Sequence, residues 1–208
     1  MMRMMSAVAG GVVVVGLGVT WAMTGGVFNT SDDPFAKCRT SAIAGGTAQI
    51  GGPFTLVNGA GETVTDKDVI TEPSLVYFGY TFCPDVCPLD MARNAEAVDL
   101  LEEKGKSVTP VFITIDPQRD TPEIAAEFAS IIHPKGIGLS GSKEQIDAAS
   151  KAYRTYYKIN DSGDDLYLID HSVFSYLVLP EHGFVEFFSQ STSPEKLAQT
   201  AACFIDKA

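Results

Sequence analysis

Apolar residues are distributed along this chain in two ways. Between Arg3 and Asp32 there is no charged residue, and Ala7 to Phe28 is an almost unbroken apolar run. Wound as a helix, that run reaches roughly 33 Å, enough to cross the hydrocarbon core of a bilayer. Trp21 falls toward its far end, where an amphipathic ring suits the interface. After about residue 50 the pattern changes to short apolar strands and helix-spaced stripes.

The second region reads as alternating elements. Phe54 to Val57 and Glu62 to Val64 flank Asn58-Gly59, a hairpin signal. Leu75 to Phe78 and Val108 to Ile115 are apolar runs of the buried-strand type. Between them Met91, Ala95, Val98 and Leu101 recur at helical spacing, and Gly105 ends that helix. Thr121-Pro122 opens another helix, with Ile124, Phe128 and Ile131 as its expected apolar face. Gly138 to Ser140 reads as a short strand, and Ser142 with Gln145 is a capping-box pattern before the next helix. Val173 to Leu179 and Phe184 to Phe188 flank a turn at Pro180 to Gly183. Ser193-Pro194 begins a last helix with Leu197, Ala201 and Phe204 on one face. Strands alternating with helices, then a hairpin and a helix, predict an α/β domain. The expected fold is thioredoxin-like, with a mixed central sheet flanked by helices.

Charge orients the chain. Arg3 precedes the long apolar run and Asp32 and Asp33 follow it, so positive-inside logic leaves the N-terminus in the cytoplasm. The expected organisation is a short cytoplasmic N-terminus over 1–6 and a transmembrane anchor over 7–28. A small, polar, glycine-containing linker follows over 29–50, and the folded domain occupies 51–208. A cleaved signal peptide is the rival reading, but its apolar region is usually shorter and ends in an A-x-A-like site. Either way the domain is exported. A single-pass protein of a cytoplasmic-type inner membrane, with its domain in the periplasm, fits these features. So does the equivalent arrangement in a mitochondrial inner membrane. The formal net charge of -11, from 26 acidic and 15 basic residues, argues against nucleic-acid binding.

Four cysteines stand at 38, 83, 87 and 203. Cys83 and Cys87 lie in Thr81-Phe82-Cys83-Pro84-Asp85-Val86-Cys87-Pro88. Extended, their Cα atoms would be about 13 Å apart. Wound as a helical turn they come to about 6 Å, which permits either a disulfide or joint grip on one metal ion. A strand-to-helix junction also favours thiolates. Pro84 is at ease in a first helical turn, whereas Pro88 suggests that the regular helix begins only after it. Two thiolates favour Cu(I), and an added imidazole also suits Cu(II) or zinc. Three histidines are available, His133, His171 and His182, and spacing alone does not choose among them.

At these residues the chain resembles the Sco (SenC) family of copper-binding assembly proteins. Gly51 to Leu56 is similar to its opening strand, and Val76 to Pro88 to its metal motif. Asp116-Pro117-Gln118-Arg119-Asp120-Thr121-Pro122 is similar to its DPxRDTP segment, and Tyr167 to His171, followed by Tyr176 to Pro180, to its histidine-bearing region. The resemblance implies Cu(I) or Cu(II) bound by Cys83, Cys87 and His171. It implies a chaperone that assists maturation of the CuA centre of cytochrome c oxidase. The CuA-bearing oxidase subunit, a copper donor protein and the membrane are the implied partners.

The alternative is a thiol–disulfide reductase that uses Cys83 and Cys87 as a redox-active pair to keep the CuA-site cysteines reduced. The C-x3-C spacing departs from the C-x2-C of thioredoxins. A peroxidase on the same scaffold usually has Thr or Ser three positions before the reactive cysteine, and here that position is Tyr80. Cys38 and Cys203 lie outside the family pattern; a mutual disulfide, unpaired thiols and an intermolecular bridge all stay open. Asp85, Asp116 and Asp120 read as turn formers, and Arg119 with Asp120 as a local ion pair, before they read as chemistry.

Overall fold

The hairpin signal at Asn58-Gly59 forms as β1 (Thr55–Asn58) and β2 (Thr63–Thr65), antiparallel, with Leu56 opposite Val64. A one-turn helix, α1 (Asp66–Val69), follows directly. The chain continues through β3 (Ser74–Gly79), α2 (Val86–Glu102), β4 (Thr109–Thr114), α3 (Pro122–Ile132), β5 (Ile137–Ser140) and α4 (Lys143–Ala152). It ends with β6 (Tyr157–Asn160), β7 (Leu168–His171), β8 (Ser175–Leu179), β9 (Gly183–Phe188) and α5 (Pro194–Ile205). The computed structural model describes residues 33–41, 50–160 and 166–208. The membrane segment expected over 7–28 lies outside them, and among the described residues no helix is long and apolar enough to cross a membrane.

Lys37–Ala208 forms one compact unit. Its main sheet has the order β2-β1-β5-β4-β3-β8-β9. β3, β4 and β5 are parallel neighbours, each joined to the next by a crossover helix, as parallel pairing requires. The remaining pairings are antiparallel, so the sheet is mixed. Val76 sits between Val111 and Tyr176 at the sheet's centre. Every residue of β3, β4 and β8 is buried, which explains why these strands read as continuous apolar runs. The fold is thioredoxin-like.

The stripes of α2 and α5 face the core as expected: Met91, Ala95, Val98 and Leu101 are buried, as are Leu197, Ala201 and Phe204. α2 is closed by Gly105 at φ 72°. Lys106 N–H donates to Leu101 O and Gly105 N–H to Glu102 O, the paired bonds of a Schellman motif. Helix α3 corrects the expected phase. Ile131 is 75% exposed and Ile124 is 39% exposed, whereas Ala125 and Ala129 are fully buried. The alanines face the strand because β5 runs very close. A Cβ on Gly138 would lie 1.9 Å from the Ala125 carbonyl oxygen. Small residues on both sides permit that approach; Ile124 and Ile131 turn outward, whereas Phe128 packs on Phe112 at the core as expected.

Two further features depart from expectation. Residues 38–41, expected within the 29–50 linker, are fastened to the domain. Cys38 is disulfide-bonded to Cys203 in α5, with Cα atoms 5.6 Å apart. Arg39 donates to the carbonyl of Val185 in the edge strand β9. Glu186 is fully buried, and its carboxylate accepts the N–H groups of Thr40 at 2.9 Å and Ser41 at 3.4 Å and the Ser41 hydroxyl. Second, β6 and β7 form a separate antiparallel ribbon that pairs His171 with Tyr157. His171 therefore ends a strand.

Candidate metal centre

Strand β3 ends at Gly79, and the chain needs six residues to turn into α2. Within that turn Cys83 N–H donates to Tyr80 O at 3.2 Å. Cys83 precedes the helix, and its sulfur accepts the N–H of Cys87 at 3.3 Å, satisfying one of the open donors of the first turn. The helix begins at Val86, earlier than Pro88 suggested. Pro88 is its third residue, still within the turn whose N–H groups lack intrahelical acceptors, so nothing is lost. Pro84 lies outside the helix, one residue before Asp85 at the N-cap.

This winding brings the two sulfurs together, and the β6–β7 ribbon brings in an imidazole. Cys87 Sγ lies 3.4 Å from His171 Nε2, and the ligand atoms of Cys83, Cys87 and His171 all lie within 4.8 Å of one another. A trigonal site of two sulfurs and one nitrogen, with bonds of about 2.0–2.3 Å, needs separations of roughly 3.7–4.0 Å. The observed spread brackets that range. His171 Nδ1 is 2.9 Å from the carbonyl of Ser172. A carbonyl only accepts, so Nδ1 carries a proton and Nε2 is the ring nitrogen turned to the centre. Cys87 is fully buried, Cys83 is 7% exposed, and His171 is half-buried, so one side of the site opens. It opens onto a cleft of about 280 Å³ whose lining includes Tyr80, Asp85, Leu168 and Asp170.

The electrostatics divide the cysteines. A hydrogen bond from the Cys87 thiol, against the cost of burial and helped by the N–H groups of Cys87 and Asp85, lowers the Cys83 thiol to about 5. The same shared proton and deep burial push the Cys87 thiol up. The metal-free pair is thus one thiolate and one thiol, with a single proton to release before both sulfurs bind an ion.

The other histidines go elsewhere. His133 ends α3, where its Nδ1 accepts Lys135 N–H at 3.1 Å and its Nε2 faces Asp99 Oδ1 at 3.3 Å. His182 is exposed in the β8–β9 turn. Cys83, Cys87 and His171 are the one ligand-type cluster among the described residues.

The environment includes groups that sequence reasoning passed over. Tyr77 and Tyr80 present their rings edge-on to His171, with centroids 6.3 and 5.8 Å away. Tyr77 OH donates to Asp90 at 3.1 Å, and the buried Asp90 pairs with Arg93 at 2.8 Å. Arg93 also donates to Ser189 O, Asn94 Oδ1 and Ser175 Oγ. Asp90 and Arg93 interrupt the buried stripe of α2, and that charge in an apolar pattern was the available signal. Gly79 makes room: a Cβ there would lie 2.9 Å from Cys87 Sγ.

A thioredoxin-like sheet with two sulfurs at a strand-to-helix turn and an imidazole beside them defines a soft-metal dithiol protein. The SCO1/SenC family model matches residues 43–206. Protein SenC of Rhodobacter capsulatus is 54% identical over 194 residues, covering 93% of this chain and 86% of that protein. The chain therefore belongs to the SCO1/SenC family. The mitochondrial SCO1 homolog 1 of Arabidopsis thaliana is 42% identical over 153 residues, 73% of this chain and 46% of that longer protein. The crystal structure of Arabidopsis thaliana ScoI with copper bound is 40% identical with a TM-score of 0.71, covering 76% of this chain and 99% of that one.

Proposed function

We propose that this protein is a copper metallochaperone that carries Cu(I) or Cu(II) on Cys83, Cys87 and His171 and assists maturation of the CuA centre of cytochrome c oxidase. The observation that carries the reading is the convergence of two sulfurs and one imidazole nitrogen within 4.8 Å. Two thiolates hold Cu(I), and the imidazole adds the borderline ligand that suits Cu(II). Three protein ligands leave a coordination position for an incoming ligand from a client, so copper leaves by stepwise exchange. The opening beside Cys83 and His171 gives the client access.

The CuA-bearing oxidase subunit is the proposed client, and a separate copper donor loads the site. Residues 7–28 serve as a single membrane span with 1–6 inside, residues 29–50 lead from it into the domain, with 38–41 fastened to α5 and β9, and 51–208 carry the function. Such a chain holds its domain on the periplasmic side of an inner membrane, or in the equivalent mitochondrial space, against a membrane-bound client.

The low Cys83 thiol favours a second activity on the same pair. The Cys83 thiolate attacks a client disulfide and releases one client thiolate. The Cys87 sulfur, giving up its proton, then attacks Cys83 Sγ, forming the Cys83–Cys87 disulfide and releasing the second. Two electrons pass from this chain to the client. Presenting an apo CuA domain to the copper-loaded full chain separates the two readings. With the client's cysteines reduced, the chaperone reading expects the CuA spectrum to develop. If the CuA spectrum never develops, and an oxidised client is reduced by copper-free protein, the reductase reading stands alone.

A further inference from the structure

The segment Asp116–Asp120 touches both arms of the centre without contributing a ligand. On the cysteine side, Asp120 accepts Thr81 N–H at 2.9 Å, the Thr81 hydroxyl and the Thr114 hydroxyl at 2.7 Å. Thr81 lies two residues before Cys83. On the histidine side, Asp116 accepts the Tyr167 hydroxyl at 2.6 Å. Tyr167 lies four residues before His171, immediately before β7. Arg119 joins the two sides. Its Nε donates to Asp116 Oδ2, and its guanidinium carbon lies 3.6 Å from the Tyr167 ring centroid and 4.8 Å from that of Phe82. Phe82 immediately precedes Cys83.

The β6–β7 ribbon needs such support. It has two strands and does not pair into the main sheet, and isolated two-stranded ribbons are marginal in water. Ile169 N–H donates to Tyr80 OH at 3.3 Å, a polar tie from the strand itself. The stacked guanidinium adds a broad contact to the cysteine turn, held in place by Asp116.

We propose that Arg119 is a positioning residue for the third ligand: stacked between Phe82 and Tyr167 and fixed by Asp116, it clasps the histidine-bearing ribbon to the cysteine turn. Its loss releases His171 from the centre while the two sulfurs stay together. Cu(II), which depends on the imidazole, weakens, whereas Cu(I), held by two thiolates, is little affected. Arg119→Lys keeps the charge but loses the planar stack, so it behaves like Arg119→Ala.

The inference rests on Cys83, Cys87 and His171 being the copper ligands, and the test separates the two. In the full chain, Arg119→Ala, Arg119→Lys and Tyr167→Phe are compared with His171→Ala. The first readout, without copper, is amide hydrogen exchange: Leu168–His171 exchanges faster in Arg119→Ala, while β3 and β4 are unchanged. The second is copper binding. Cu(II) affinity falls about tenfold, equivalent to about 1.4 kcal/mol, the scale of a partly desolvated cation–π contact. The Cu(II) spectrum moves toward that of His171→Ala, and Cu(I) affinity holds within about threefold. Wild-type exchange in β7 with a wild-type Cu(II) spectrum overturns the proposal, as does an equal loss of both oxidation states. If Arg119→Ala does not fold, Arg119→Lys, which keeps the charge but loses the planar stack, is judged by the same outcomes. Tyr167→Phe removes the hydroxyl bonds to Asp116 and Gln118 and keeps the ring under the guanidinium. A wild-type chain that binds no copper contradicts the ligand reading, and the exchange comparison still decides the clasp.

Discussion

Cys87 Sγ and His171 Nε2 stand 3.4 Å apart although 84 residues separate them in the chain. The cysteine is fixed by the first turn of α2, and the histidine ends a ribbon outside the main sheet. The centre is therefore made of a rigid half and a half that depends on tertiary contacts.

Removing the imidazole separates ligand from scaffold. His171→Ala lowers Cu(II) affinity by more than about 100-fold, beyond the range seen when only a supporting partner of a metal ligand is lost. The thermal midpoint changes little, because the half-buried ring is not in the core. Competition titration with a Cu(II) chelator, beside a melting curve of the same variant, checks both statements.

The division of the cysteine pair sets a pH dependence. In the metal-free protein Cys83 alkylates first, with its rate falling off as pH drops through about 5. The Cys83 thiol is lower in the folded than in the unfolded chain, so its contribution to stability is present above the unfolded value and is lost as pH falls toward about 5. Cys87 is shifted the other way, so its contribution is lost as pH rises above its ordinary value. Stability attributable to the pair thus rises from pH 5 toward the ordinary thiol range and declines beyond it. Denaturant titrations across that range, repeated on Cys83→Ser, should show the lower slope flattening.

The disulfide between Cys38 and Cys203 closes a loop of 165 residues in sequence separation. Its removal as Cys203→Ser costs about 2–4 kcal/mol by the usual loop-closure effect. It also loosens residues 38–41 from β9, leaving the buried Glu186 carboxylate short of donors. Urea unfolding, with wild type under reducing conditions as comparison, measures the first effect. Limited proteolysis near Arg39 measures the second.

Asp90 and Arg93 form a buried pair behind Cys87. Asp90→Ala leaves the arginine charge without its carboxylate and destabilises the domain by about 3–5 kcal/mol. Asp90→Asn, whose single amide oxygen still accepts from Arg93 while its NH2 donates to a reoriented Tyr77 hydroxyl, costs less. Chemical denaturation of the two variants orders them.

Much of this architecture is legible in the residue pattern, for physical reasons that also mark where legibility stops. β3, β4 and β8 are buried on both faces, so their apolar runs are unmistakable, and the α2 and α5 stripes keep helical period. The α3 face is read correctly at Phe128 but misread at Ile124 and Ile131, because Ala125 and Ala129, small residues suited to a close helix–strand approach, carry less hydrophobic signal. β6 and β7 are four residues each and mostly exposed, too short for their alternation to stand out. The spacing of Cys83 and Cys87 indicates a joint site locally. The arrival of His171 beside them comes from tertiary contacts 84 residues away in sequence, and only family resemblance anticipated it. The pairing of Cys38 with Cys203 is likewise set by the fold and by no local motif.

Anaerobic Cu(II) titration of the full chain by absorption spectroscopy, repeated on Cys83→Ser, Cys87→Ser and His171→Ala, tests the three-ligand centre most directly. One equivalent should produce a thiolate-to-copper charge-transfer band that disappears with either serine and shifts with the alanine. An unaltered band in any of the three variants would contradict a centre built from all three side chains.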